Sequence, residues 1–323
     1  MTENRKGQVQ SKGEVLFLDA AHPSLMDELK SHGYSCHYQQ DITPEKLIAI
    51  LPRLTGIIVR SKFRLDKKIL QHAQKLLFIG RVGSGLENID VEYARSKGIT
   101  CLNSPEGNRD AVGEHALGML LALFNNLVLA DREVKQGIWE REKNRGVEIK
   151  AKTVGIIGFG NTGSAFAQRL QGFDADIIAY DKFKQSYAPD FVKEVTLQDL
   201  LEQADIISLH IPLNAETRYM VDKDFFGRCK KNIILINTSR GEVLNTADLV
   251  AALKSGKVKG AALDVLEYEH LSFEKLNKKD LPATFQYLAK SNNVVLSPHI
   301  AGWTHESYRK LSAVLAGKIK NLR

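Results

Sequence analysis

Cysteine is scarce in this chain: 323 residues hold three, Cys36, Cys101 and Cys229, widely separated and without a CxxC pair. That pattern argues against a disulfide framework and against the common zinc sites, so no metal is expected and the setting reads as reduced and cytoplasmic. Long apolar runs are also missing. The first dozen residues are polar, without the apolar core of a secretory leader, and the most apolar helical stretch, Leu117–Ala130, is cut by Asn125 and Asn126. No membrane span is expected. The net charge of +7 comes from Lys and Arg scattered along the sequence, with no basic run. Nothing here carries a nucleic-acid signature, and a small anionic substrate with an anionic cofactor explains the same excess.

What the chain does have is alternation. At 323 residues it exceeds one ordinary core, and two domains are expected. Short β-branched runs at Val15–Asp19, Gly56–Arg60, Leu77–Gly80 and Ile99–Asn103 read as parallel strands. Helical spacing between them, at Ser24–Ser31, Thr43–Leu51 and Asp66–Gln74, supplies the crossovers that parallel strands need. A long helix follows over Ala111–Gln136, with an apolar stripe through Ala116, Met119, Leu120, Leu123 and Leu127. Nearly continuous apolar strands then recur at Thr153–Ile157, Asp176–Tyr180, Asp205–His210, Asn232–Asn237, Gly260–Val265 and Asn293–Ser297, as expected where both faces of a sheet are covered. The fold class is therefore α/β with doubly wound parallel sheets. A final helix over Glu306–Leu322 returns to the first domain. Domain limits of 1–103 plus 303–323, and 104–302, follow, with a cleft between the two.

Gly158-Phe159-Gly160-Asn161-Thr162-Gly163 directly follows the strand Val154–Ile157 and opens a helix. The three glycines serve different ends. Gly158 permits a tight turn, Gly160 lets backbone approach a pyrophosphate, and Gly163 allows close helix–strand packing. Asn161 is not basic, so the pyrophosphate leans on backbone N–H groups and the Thr162 hydroxyl. Asp181 ends the next strand, where an acid binds both ribose hydroxyls of NAD and repels the 2′-phosphate of NADP. Lys182 beside it tempers that preference. NAD is the expected cofactor.

Three further loops at strand ends carry chemistry: Asn237–Gly241, Asp264–Glu269 and Ser297–Gly302. With these the chain resembles the D-isomer-specific 2-hydroxyacid dehydrogenases. The likeness runs through Arg81–Asp90, Asn103-Ser104-Pro105, Ala111–His115, the glycine turn, Ser208–Pro212, Asn237–Gly241 and Pro298–Gly302. It implies a Rossmann NAD-binding domain, a flavodoxin-like substrate domain, and a catalytic set of Arg240, Glu269 and His299. It also implies that His210, Pro212, Thr217, Thr238, Asp264 and Gly302 line the cofactor, and that Arg60, Ser61, Val82, Gly83, Ser84, Asn108 and Arg240 meet the substrate. A homodimer through the long-helix region is implied as well.

The roles are chemically reasonable. Dehydrogenation of an alcohol needs a hydride acceptor, a base for the hydroxyl proton and a cation for the acid. Arg240 suits a carboxylate and a developing oxyanion, and Glu269 beside His299 favours the imidazolium. One departure stands out. Twenty-nine residues separate Glu269 from His299, an insertion at 270–290 makes this connection longer than is usual in the family, and His270 stands where the family has proline. Glu267 is the alternative acid.

Three cations at Arg60, Lys62 and Arg64, with Arg81, Arg109 and Arg141, suit a phosphorylated acid, and the Gly137–Arg141 stretch resembles that of D-3-phosphoglycerate dehydrogenases, which implies D-3-phosphoglycerate as substrate and a place in serine biosynthesis. Glyoxylate or hydroxypyruvate reduction and D-lactate-type oxidation are the alternatives, and a dinucleotide-sensing, corepressor-like binding protein is the alternative of another class. No regulatory domain of the kind long phosphoglycerate dehydrogenases append is expected.

Overall fold

A computed structural model describes residues 11–269 and 281–322. The insertion at 270–290 lies outside these residues except for its last ten positions, where Ala283–Lys290 is helical. The chain divides into two compact units, one of residues 11–108 with 304–322 and the other of residues 109–269 with 281–303. The segment after Asn103 stays with the first unit for a physical reason: Lys318 Nζ donates to the Asn103 carbonyl at 3.0 Å and to the Glu106 carboxylate at 2.9 Å.

The first unit is built on five parallel strands, β1 (Gly13–Phe17), β2 (Tyr34–Tyr38), β3 (Leu54–Val59), β4 (Phe78–Arg81) and β5 (Thr100–Leu102), in the order β2-β1-β3-β4-β5. That is the flavodoxin-like order of a doubly wound sheet. β3 is buried along its whole length, as a central strand covered on both faces must be. Local sequence sets the crossovers. Thr43 accepts the Lys46 N–H ahead of Pro44 at the start of the helix Pro44–Ile50, and Asp66 caps Lys67–Leu70 in the same way. The last helix, His305–Lys320, opens with Thr304 and Ser307 capping each other and buries Leu311, Leu315 and Ile319 in one core with Phe17, Leu25 and Phe78.

The second unit holds seven parallel strands, β6 (Thr153–Ile157), β7 (Asp176–Tyr180), β8 (Lys193–Glu194), β9 (Ile206–Leu209), β10 (Ile233–Asn237), β11 (Val258–Leu263) and β12 (Val294–Leu296). Their order, β12-β11-β10-β9-β6-β7-β8, is the dinucleotide-binding order with one added strand, and the direction reverses between β6 and β9. The glycine turn leaves the sheet at that point.

The expected helix over Ala111–Gln136 is instead two, Arg109–Phe124 and Leu127–Lys135, bent by 59° at Asn125-Asn126. Asn126 adopts φ 51, a left-handed conformation that asparagine tolerates better than most residues and that ends a helix. The helix expected over Asp66–Gln74 is a single turn, Lys67–Leu70. Among the described residues no single helix is long and apolar enough to cross a membrane.

Candidate functional site

In the second unit the expected cofactor residues sit on loops at the carboxyl ends of the strands. Gly158 leaves β6 with φ 91, and a Cβ there would lie 2.5 Å from the His210 carbonyl oxygen. A Cβ on Gly163 would lie 2.1 Å from the Gly158 carbonyl oxygen, so both positions are sterically reserved for glycine. Gly160 differs, because a Cβ there meets nothing within 4 Å. The helix Asn161–Leu170 that starts beside it has no capping side chain. Its first-turn N–H groups therefore suit an anion such as a pyrophosphate.

Asp181 follows β7 and accepts the Phe159 N–H at 2.9 Å and the Phe183 N–H at 3.0 Å, which ties it to the glycine turn. Lys182 is paired with Glu216 at 2.6 Å, and Lys184 donates to the Phe159 carbonyl at 2.8 Å. His210 follows β9, with Nε2 2.8 Å from the Ser208 hydroxyl and Nδ1 3.2 Å from the Thr162 hydroxyl. Burial pushes its imidazole down to about 3, so it is neutral at any working pH and acts as a packing element. The Thr217 hydroxyl donates to the Pro212 carbonyl at 2.7 Å and closes its own turn. Thr238 contributes a buried hydroxyl that has no partner among the described residues. An unpartnered buried hydroxyl is costly, and a polar cofactor group would satisfy it. The open space over Gly160, the uncapped helix start and the acid at 181 all fit a dinucleotide.

The remaining loops assemble next to one another. Asn237 accepts the Ser239 N–H and hydroxyl at 3.0 and 2.8 Å and donates to the Arg240 carbonyl at 3.0 Å, fixing the turn that carries Arg240. A Cβ on Gly241 would lie 2.0 Å from the Leu266 carbonyl oxygen, so this loop packs directly on the one that bears Glu269. His299 Nδ1–H donates to Glu269 Oε2 at 2.6 Å, and the other Glu269 oxygen accepts the Leu266 N–H. The alternative acid, Glu267, is occupied elsewhere: it accepts the Tyr219 hydroxyl at 2.9 Å and the Thr246 N–H at 3.1 Å.

Asp264, expected at the cofactor, is 0% exposed. Its carboxylate accepts the Ser297 hydroxyl, the Ile300 N–H at 2.9 Å and the Ala301 N–H at 2.8 Å, with His115 Nε2 at 3.4 Å. Its backbone carbonyl takes the His299 N–H at 2.7 Å. His299 itself has φ 55, and these bonds hold the segment leading into Gly302 around that strained residue. Burial raises the Asp264 carboxyl, but the bonds from His115, Ser297, Ala301 and Ile300 outweigh it and hold the group below the usual carboxylate range.

In the first unit the expected substrate residues also lie beyond strand ends. The Ser84 hydroxyl donates to Asn108 Oδ1 at 2.7 Å, Asn103 donates to the Ser84 carbonyl, and Val82 is buried beside Gly83. Arg60 and Ser61 follow β3. Of the other cations, Lys62 gives its ammonium to the Gln40 carbonyl, and Arg64 is exposed. Asp19, at the end of the β1 run, was not among the expected site residues, although an acid closing an apolar strand is the same signal that marked Asp181. It accepts three N–H groups from residues 60–62.

The fold and this loop set define a nicotinamide-nucleotide-binding α/β protein. The profile of the D-isomer specific 2-hydroxyacid dehydrogenase NAD-binding domain matches residues 117–301, and the chain belongs to that family. It is 35% identical to the D-3-phosphoglycerate dehydrogenase of Archaeoglobus fulgidus over 96% of this chain and 57% of that one. It is 36% identical to the hydroxypyruvate reductase of Thermotoga maritima over 91% of this chain and 92% of that one. The chain thus spans little more than half the length of the phosphoglycerate dehydrogenases it matches. A solved D-lactate dehydrogenase from Aquifex aeolicus, complexed with NAD and lactic acid, superposes with TM-score 0.79 and 27% identity, covering 95% of this chain and 94% of that one.

Replacing Asp264 by alanine takes the acceptor from the donors of Ser297, Ile300 and Ala301, the last of them buried, and is expected to cost about 3 kcal/mol in urea unfolding at pH 7. A carboxyl held low in the folded state contributes stability above its unfolded value, near pH 4, and loses it as the pH falls through the folded one. The wild-type advantage over Asp264→Ala should therefore shrink below about pH 4. An advantage that persists unchanged into acid, or no loss at pH 7, would show that the carboxylate does not hold this turn.

Proposed function

We propose that the chain is an NAD-dependent D-2-hydroxyacid dehydrogenase, with D-3-phosphoglycerate, oxidised to 3-phosphohydroxypyruvate, as its leading substrate. The observation that carries this reading is the 2.6 Å bond between His299 and Glu269 at the carboxyl edge of a dinucleotide-binding sheet. With Nδ1 committed to Glu269, His299 exchanges the substrate hydroxyl proton through Nε2. Arg240, on the loop packed against that of Glu269, takes the substrate carboxylate and the oxygen where charge develops. When bound, the nicotinamide supplies or accepts the hydride. The glycine turn, Thr162, Asp181 and Thr238 hold the cofactor. In this reading the first unit binds substrate through Arg60, Ser61, Val82–Ser84 and Asn108, and the protein works in the cytoplasm.

A second reading, reduction of hydroxypyruvate or glyoxylate, is favoured by the end-to-end match with a hydroxypyruvate reductase and by the engagement of Lys62 with Gln40. A spectrophotometric panel of D-hydroxy acids and 2-oxo acids with NAD(H) decides between them. Brisk hydroxypyruvate or glyoxylate turnover without a phosphoglycerate signal removes the leading substrate, and cofactor binding with no turnover on any acid supports the dinucleotide-sensing class instead.

His299→Gln should keep NADH affinity and lose turnover by about 10²-fold or more, the scale of a general acid–base group. Undiminished kcat would take His299 out of the reaction. Asp181→Ala should raise the NADP/NAD ratio of kcat/KM by about tenfold or more, since like charges placed against each other cost several kcal/mol. An unmoved ratio places the ribose elsewhere.

A homodimer is part of the proposal. Leu127, Val128, Val134, Ile138, Trp139 and Val147, all exposed and with Trp139 at 76%, make up half of the large apolar side chains exposed among the described residues. Such a concentration is the usual mark of an interface. Light scattering should give twice the chain mass of 36.0 kDa, and Trp139→Asp with Val128→Asp should shift it toward monomer. A wild-type monomer at micromolar concentration refutes the assignment.

A further inference from the structure

Asp19 follows β1, which lies beside β3 in the first sheet. In the order β2-β1-β3-β4-β5 the chain moves one way from β1 to β2 and the other way to β3. The carboxyl ends of β1 and β3 therefore flank the topological switch point, the place where doubly wound sheets take their ligands. Asp19 Oδ2 accepts the backbone N–H groups of Arg60, Ser61 and Lys62 at 2.6, 3.0 and 3.1 Å. Three successive N–H groups converging on one oxygen form an anion nest, and the protein's own carboxylate fills it.

The other side of Arg60 is fixed as well. Its carbonyl accepts Arg81 Nε at 3.2 Å and Asn88 Nδ2 at 3.3 Å. Both peptide groups that flank the Arg60 Cα are thus bonded to side chains, which sets the direction in which its side chain leaves the backbone. Burial pulls the Arg60 guanidinium down from its ordinary value, while Asp19 and Tyr308 push it back up. A half-buried cation held so firmly at a switch point is more than a solvated loop residue.

We propose that Asp19 is a positioning residue for substrate recognition: by filling the nest at residues 60–62 it closes that backbone to external anions and aims Arg60 at the carboxylate or phosphate of the substrate. The inference rests on the reading above that Arg60 meets the substrate. Asp19 touches neither substrate nor cofactor in this scheme and acts only through the loop. Its loss should therefore weaken substrate binding while leaving the chemical step alone, the pattern of a uniform binding effect.

The test uses the full chain and the acid turned over best by the wild type, with Arg60→Lys as calibrator. Asp19→Asn keeps an acceptor oxygen but loses the charge, whereas Asp19→Ala empties the nest. KM should rise about threefold in D19N and about thirtyfold in D19A, with kcat within about threefold and the NADH Kd unchanged. Added formate should lower the raised KM of D19A by refilling the nest and should not do so for the wild type.

A KM within twofold of wild type in folded D19A, alongside a raised KM in R60K, overturns the inference and leaves the dehydrogenase reading standing. Should D19A not fold, an unmoved KM in D19N has the same force. A loss of kcat or of thermal stability without a KM change makes Asp19 merely structural and also overturns it. An unmoved KM in R60K removes Arg60 from the substrate site, and the inference falls with it.

Discussion

Parallel pairing is the constraint from which the arrangement follows. Each named strand pairs with its neighbours in parallel in both sheets. Consecutive parallel strands need a crossover between them, so within each sheet every strand delivers its carboxyl end to the same edge. Gly158, Asp181, His210, Arg240, Asp264 and His299 come from distant parts of the sequence, yet all leave the second sheet on one side. Asp19, Arg60 and Val82 do the same in the first. The chemistry is collected by topology before any side chain interacts.

Loops beyond strand ends have no ladder to satisfy their N–H groups, and here short acidic and amide side chains do so. Asp19 takes the turn at 60–62, Asp181 takes Phe159 of the glycine turn, Asn237 takes Ser239, and Asp264 takes Ile300 and Ala301. Each stands at or just past the end of a strand and reaches into its own turn or a neighbouring loop. Asp264 makes the most demanding case, because a fully buried carboxylate is tolerated only when its lone pairs are met. Several donors supply that, and in return the left-handed backbone at His299 is held where Glu269 can reach the imidazole. The backbone that carries His299 thus rests on a carboxylate spent on its neighbours' donors.

Much of this was legible in the sequence. Apolar runs covered on both faces identified the central strands β6 and β7 to the residue, and the glycine spacing located the turn between β6 and its helix. Two of the four edge strands, β2 and β8, were not read, whereas the edge strands β5 and β12 were. β2 buries only Cys36 and β8 has two exposed residues, so neither carries a periodic apolar signal. The helix break at Asn125-Asn126 was visible as an interruption of apolar character but not as a 59° turn, because one residue's φ sets the bend and composition does not report it. The resemblance put Glu269 ahead and kept Glu267 as the alternative, without a physical reason for the choice. Two residues apart on one loop, they differ in which neighbours the backbone brings within reach: Tyr219 and Thr246 for the first, His299 for the second.

Charge around the loop at residues 60–64 was the least legible feature. A count of basic residues around Arg60 suggests a generous phosphate site. In three dimensions Lys62 is spent on the Gln40 carbonyl, Arg81 gives its Nε to the Arg60 carbonyl, and Asp19 adds a negative charge within hydrogen-bonding distance of the same backbone. The cations there keep their charge, but the Lys62 ammonium and the Arg81 Nε already have backbone partners. Scattered surface cations attract anions at long range and are screened over roughly 10 Å, whereas selection among acids is made by groups in contact. On the proposed reading, the reach of Arg60 is what distinguishes a phosphorylated from an unphosphorylated acid, and the bonds to Asp19, Arg81 and Asn88 fix the backbone from which it extends.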